Sequence, residues 1–300
     1  LIQNIYTTEY LEKSVFAWST AFEKNELQEI IPMQRRFYAD EVRPIKEKVV
    51  VIISDAFRYE AAKELEEAFA EDQNCSVKMK VKMGTLPAVT TVGMAELLPH
   101  KEIEMVDDDS HKILIDGKPC ATTVQREQIL QSANPNSAAI DFDSINGMKT
   151  SELRSFTSRK EVIYVYHNRI DAAGEAMKTE NSVFKAVDET ISEIFKLVKK
   201  LSKSGNVYRF LITADHGFIY TRRPLEATDK LENEAGKEGF ADRRFIISKS
   251  DLSRLGVYAV KLSAALNSKD DRYINLAKGM SVFKCGGGMN YVHGGSSPQE

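Results

Sequence analysis

The feature that most constrains this chain is Tyr208-Arg209-Phe210-Leu211-Ile212-Thr213-Ala214-Asp215-His216-Gly217, a run of strand length that ends abruptly in an acid, an imidazole and a glycine. Its apolar half reads as a buried parallel strand, because a strand covered on both faces loses the alternation of apolar and polar residues. The pattern recurs twice. Lys48-Val49-Val50-Val51-Ile52-Ile53-Ser54 ends in Asp55, and Val162-Ile163-Tyr164-Val165-Tyr166 leads into His167-Asn168-Arg169-Ile170-Asp171. Helical periodicity follows each: Ala61, Leu65, Ala68 and Phe69 share one face of a helix from about Tyr59 to Glu71, and Phe184, Val187, Ile191, Ile194, Val198 and Leu201 repeat at 3 and 4 up to a stop near Gly205. This alternation predicts an α/β fold, a mostly parallel central sheet flanked by helices. Its carboxyl edge would gather Asp55, Asp171, Asp215 and His216. Acids at one edge repel unless a cation holds them, and Asp and His are ordinary ligands for zinc and its neighbours.

Length and composition bound the rest. Three hundred residues with 42% apolar and 28% charged content suit one large domain or two small ones. A net charge of -3 makes no general case for nucleic-acid or membrane binding, so any basic surface must be local. Cys75, Cys120 and Cys285 are widely spaced and odd in number, which argues against a disulfide framework and fits a reducing cytoplasm. No apolar run approaches the roughly 18 residues needed to span a bilayer, and no signal peptide is visible. The missing initiator Met and the polar end, Ser296 to Glu300, read as a domain excised from something longer.

Residues 1–46 have a mainly helical pattern and form an N-terminal segment leading into the main domain over 47–300. Val77 to Met83 alternates strictly, which predicts a strand with Lys78, Lys80 and Lys82 on one solvated face. Gly84 to Pro99 is a turn-rich approach to a short helix with Thr90 or Thr91 at its start. A threonine there is ordinarily a helix cap, and becomes a nucleophile only if a metal lowers its pKa. The same cap reading applies to Asp55. Residues 101 to about 158 read as an insertion or cap beside the site, with a hairpin around Asp116-Gly117 and loops at Asp107-Asp108-Asp109 and Gln131 to Ser137. Beyond Tyr220 a charged stretch carries Arg222, Arg223, Arg243 and Arg244, a plausible flap. The glycine-rich run Gly286 to Gly295 holds one histidine, His293, a further imidazole for a metal.

Taken together, Ile53-Ser54-Asp55-Ala56-Phe57-Arg58-Tyr59-Glu60, Leu86-Pro87-Ala88-Val89-Thr90-Thr91-Val92-Gly93-Met94, Tyr166-His167-Asn168-Arg169-Ile170-Asp171, Thr213-Ala214-Asp215-His216-Gly217-Phe218 and His293-Gly294-Gly295 resemble the alkaline phosphatase superfamily. Within it, the chain resembles the PglZ domain of bacterial phage-defence (BREX) systems. The resemblance implies two divalent metal ions, zinc first, with manganese or magnesium as alternatives. One would take Asp55, Thr90, Asp215 and His216; the other Asp171, His293 and a third ligand. Superfamily phosphodiesterases often carry histidine where Glu175 stands, so Glu175 is the preferred third ligand and His167 its rival. Thr90, three residues after Pro87, matches the nucleophile. The implied activity is a metal-dependent phosphatase or phosphodiesterase, on a phosphate ester such as a nucleotide or nucleic acid. Its implied partners are other defence-system proteins, such as a DNA methyltransferase. The alternative is a catalytically weak or inactive scaffold that binds those partners. None of the cysteines has the context of the sulfatase nucleophile.

Overall fold

Three of the apolar runs pair side by side, joined by a fourth. In the computed structural model, β1 (Val49–Ser54), β2 (Ser137–Asp141), β3 (Val162–His167) and β4 (Arg209–Thr213) form a parallel sheet in the order β2-β3-β1-β4. The described residues are 5–24, 30–107, 112–222, 230–236, 239–286 and 290–300; Leu27, Asp108, Asp109, Arg223 and Gly287 to Met289 lie outside them. Ser54 aligns with His167 and Ile53 with Thr213. The residues that follow β1, β3 and β4 therefore leave the sheet along one edge, as parallel strands with short exits require.

The central strand β1 is buried along its whole length, and its side chains alternate between two cores. Val50 and Ile52 face α1 (Tyr59–Ala70) and the long α4 (Val183–Ser204), through Leu65, Phe69, Ile194 and Leu201. Val49, Val51 and Ile53 face the core that includes α2 (Thr90–Glu96). That second core also takes in a four-stranded antiparallel sheet, which contributes Phe245, Ile247, Tyr258, Ile274 and Leu276. A short helix, α3 (Arg169–Gly174), follows β3, and a two-stranded ribbon of β5 (Ile219–Tyr220) with β6 (Tyr291–Val292) follows β4.

Several sequence expectations are corrected. The strand β4 is half-buried, not fully buried, because among the described residues it is the sheet's edge; Tyr208 before it is 78% exposed. Part of the stretch expected as an insertion over 101–158 supplies β2 to the central sheet, while Ile103–Met105, Ile113–Ile115 and Lys118–Pro119 form a separate three-stranded ribbon, the last two joined by the Asp116-Gly117 turn. No strand forms over 77–82; Met83 makes one bridge to Met33, and Lys80 and Lys82 pair with Glu41 at 2.6 and 3.2 Å. The flap arginines are partly structural. Arg244 is fully buried against Glu300 at 3.0 Å, and Arg243 donates to the Tyr291 carbonyl at 3.0 Å. Leu11 and Val15 of the N-terminal segment pack against Ile219, Val282 and Val292, and the Trp18 indole donates to Ser296 Oγ at 3.2 Å. Among the described residues no helix is long and apolar enough to cross a membrane.

Candidate metal centre

Asp55 continues the β1 register, its N–H donating to the His167 carbonyl at 2.8 Å. The next residue, Ala56, has φ of 60°, a left-handed conformation that costs a non-glycine residue roughly 1 kcal/mol. That turn starts the path into α1 and points the Ala56 N–H at Asp215 Oδ1, 3.2 Å away. Two strand-end acids are thus locked to each other through one backbone group. The helix α2 reaches the same place because Gly93 has no side chain: a Cβ there would lie 2.4 Å from the Asp215 carbonyl oxygen. The buried Gln34 amide ties both parts together, donating to the carbonyls of Gly93 at 3.3 Å and Asp215 at 2.9 Å.

This packing sets the Thr90 hydroxyl, at the first residue of α2, 3.1 Å from His216 Nε2 and 3.5 Å from Asp55 Oδ1. His216 Nε2 lies 3.3 Å from Asp55 Oδ1 and 3.6 Å from Asp215 Oδ2. The ring of His293 stacks on that of His216 with centroids 4.4 Å apart, and its Nε2 is 3.8 Å from Glu175 Oε1. Two donor clusters result, Asp55 with Asp215 and His216, and Asp171 with His216 and His293; within each, the ligand atoms lie within 4.8 Å of one another. Thr91, by contrast, is exposed. His167 is committed elsewhere: its Nδ1 meets Ser54 Oγ at 3.0 Å and its Nε2 meets Glu193 Oε2 at 3.1 Å. The order serine, imidazole, carboxylate is that of a nucleophile relay, but Ser54 is 0% exposed and no substrate reaches it.

The residues present fit a divalent cation. His216 Nδ1 lies 2.8 Å from the Gly217 carbonyl and His293 Nδ1 lies 3.2 Å from the Ala88 carbonyl. A carbonyl only accepts, so each Nδ1 carries a proton and each Nε2 is the nitrogen turned to the cluster. Asp215 Oδ2 is buried with no hydrogen-bond partner, a costly state for a carboxylate oxygen. Burial and then the Asp55 charge push Asp215 up to about 8, against the pull of His216. Burial alone would lower His216, yet Asp215 and Asp55 raise it to about 10, the effect of a negative cluster that a cation would also neutralise. Asp171 is raised by burial and by Asp55 and Glu175; Glu175 is lowered by facing His293. Gln34, Gly93 and Tyr291, whose hydroxyl donates to Asp171 Oδ1 at 2.8 Å, were not legible in the sequence as parts of this site.

Residues 37–300 match the family described as the BREX system PglZ alkaline phosphatase-like domain. The chain is 36% identical over 308 residues to an alkaline phosphatase-like protein PglZ of Bacillus cereus, and 30% identical over 312 residues to the alkaline phosphatase-like protein BrxZ of Escherichia coli. In both cases all of this chain is matched, and it spans 36% of the relative's length. Among solved structures, murine ectonucleotide pyrophosphatase/phosphodiesterase 5 superposes with a TM-score of 0.55 at 14% identity, covering 83% of this chain and 84% of that one. The human protein of the same name gives 0.56 at 12% identity with the same coverage. At these identities the likeness is one of fold.

Proposed function

Because this chain belongs to the PglZ family of alkaline phosphatase-like domains, we propose that it is a divalent-metal-dependent phosphoester hydrolase with Thr90 as its nucleophile. The observation that carries the reading is the convergence of Thr90 Oγ1, Asp55 Oδ1 and Asp215 Oδ2 on His216 Nε2, at 3.1, 3.3 and 3.6 Å, at one sheet edge, the last a buried carboxylate oxygen with no hydrogen-bond partner. Asp55, Asp215, His216 and Thr90 would hold one cation; Asp171, His293 and Glu175 would hold the other. Bound there, such cations neutralise non-bridging phosphoryl oxygens and lower the pKa of a hydroxyl.

The chain's own residues do the rest. Thr90 Oγ1 attacks phosphorus as its proton passes to solvent, the ester oxygen departs with its electron pair and takes a proton from water, and water then cleaves the phosphothreonine and restores the Thr90 hydroxyl, so two inversions give net retention. Gln34 and the missing Cβ of Gly93 keep α2 seated against Asp215, which fixes the direction of that attack. An inactive threonine-to-alanine variant of murine ectonucleotide pyrophosphatase/phosphodiesterase 5, a relative in fold, is known in complex with AMP, which supports a threonine nucleophile and a nucleotide as one substrate candidate. Partnership with other BREX proteins rests on family membership.

The test is turnover of bis(p-nitrophenyl) phosphate and p-nitrophenyl phosphate after reloading with Zn2+, Mn2+ or Mg2+, wild type against Thr90→Ala. The substitution is expected to remove at least about a hundredfold of kcat while leaving the fold intact, as loss of an oxygen at a helix start costs only about 1 kcal/mol. Equal turnover removes Thr90 from the role. A folded wild type that binds metal yet hydrolyses neither ester with any of the three ions favours the scaffold reading.

A further inference from the structure

The metal-centre reading leaves open how Asp171 is aimed. It sits on the one-and-a-half-turn helix α3, close to an exposed Glu175 and far in sequence from the histidines it must meet. We propose that the Tyr291 hydroxyl is the positioning group for Asp171, occupying one carboxylate oxygen so that the other is presented to the cation shared with His293. The inference rests on the function proposed above and goes beyond it, since Tyr291 is assigned no metal contact.

The geometry is specific. Tyr291 Oη lies 2.8 Å from Asp171 Oδ1, with both residues buried. An ionised carboxylate only accepts, so the phenol donates and Oδ1 has a committed partner. The ring cannot slide away. A Cβ on Gly174, one turn after Asp171 on the same helix, would lie 2.4 Å from Tyr291 Cδ2 and Cε2, so the ring lies flush against the turn that carries the acid. Phe218 closes on it at 4.8 Å between centroids, and His293 meets it at 5.8 Å in an edge-on arrangement.

The backbone of Tyr291 is fixed as well. It pairs with Tyr220 in the β5–β6 ribbon, and its carbonyl accepts from Arg243. The preceding Asn290 is held by Glu180 through its N–H at 3.3 Å and its side-chain amide at 3.0 Å. One aromatic ring thus couples Asp171 on α3 to the short strand β6, which His293 directly follows. Outer groups that orient a metal ligand in this way typically contribute ten- to a hundredfold in metal affinity.

The experiment uses the full chain, stripped of metal and titrated with Zn2+ against a chromogenic chelator. Wild type is expected to bind two ions and Asp171→Asn to lose one. Tyr291→Phe keeps the ring and its packing, and is expected to weaken one of the two sites about tenfold or more, leaving the other within twofold. In the Asp171→Asn background the same change should have no effect on the remaining site. That cycle separates positioning from a structural role, which would lower affinity in both backgrounds. Gly174→Ala, which presses on the ring from the helix side, should weaken the same site. If Tyr291→Phe and Gly174→Ala both bind two ions with wild-type affinities, the positioning role is wrong and the metal centre stands. If wild type binds no ion that depends on Asp171, the metal-centre reading and this inference fall together.

Discussion

Glu96, the last residue of α2, tests how the helix that carries Thr90 is anchored. It is 0% exposed, and neither of its carboxylate oxygens has a hydrogen-bond partner. Burial pushes its pKa from the ordinary 4.5 up to about 8, against the opposing influences of Thr85 and Arg35. At pH 7 the folded protein therefore keeps a proton that the unfolded chain, titrating near 4.5, has released. More protons bound in the folded state means that stability falls as pH rises between the two values, and is recovered below about 4.5. At pH 7 the gap from 4.5 is about 2.5 pH units at about 1.4 kcal/mol each, so ionisation in the unfolded state costs roughly 3 kcal/mol of stability. Glu96→Gln has the same shape and no proton to lose. Its second amide hydrogen finds no partner and costs about 1 kcal/mol, but that cost does not vary with pH. The stability advantage of the variant over wild type is thus expected to grow by about 3 kcal/mol from pH 5 to pH 8. For a chain of this size that is a relative Tm change of roughly 6 °C. Paired urea or thermal denaturation at four pH values reads it. A difference independent of pH would mean that the carboxylate is ionised in the folded protein, and the account of α2 as sealed in an apolar core would fail.

Three further outcomes follow from the packing. Gly93→Ala would ordinarily favour a helix by up to about 1 kcal/mol, but its Cβ would meet Asp215 backbone at 2.4 Å. The variant is therefore expected to be destabilised by roughly 1–3 kcal/mol and to lose kcat more than KM; an active, stabilised variant would contradict the close approach. Arg244→Ala strands the buried Glu300 carboxylate and empties the hydrogen bonds to the Gly279 and Ser281 carbonyls. A loss of about 3–5 kcal/mol by denaturation is expected. Stripping divalent ions with a chelator should lower Tm by an amount that Zn2+ or Mn2+ restores, since ion at a thousand times its Kd adds about 4 kcal/mol; the Asp215→Asn variant should show a smaller response.

What the sequence made legible is what strand exits dictate. Asp55, Asp171 and Asp215-His216 each follow an apolar run, and in a parallel sheet such runs must end together, so their meeting was implied before any coordinate. His293 stood outside that logic, in a glycine-rich loop with no periodicity; its imidazole suggested a metal ligand, and the family resemblance assigned it to the site of Asp171. The choice between Glu175 and His167 shows why local pattern stops short. His167 follows the strand more closely, yet it is the last residue of β3, and its side chain is held between Ser54 and Glu193, while Glu175 lies past α3 on the turn that reaches His293. The lysines at 78, 80 and 82 misled because strict alternation is also what an extended, unpaired segment shows when a single acid, here Glu41, satisfies two of the three. Gln34, Glu96 and Tyr291 carry no motif at all. Each matters through a contact made across the fold, with Asp215, with the core beneath α2 and with Asp171 respectively, and such contacts depend on how layers stack, which periodicity does not encode. A polar residue buried without a local reason is therefore where this chain's sequence is least readable and its structure most informative, and the two experiments on Glu96 and Tyr291 probe that class directly.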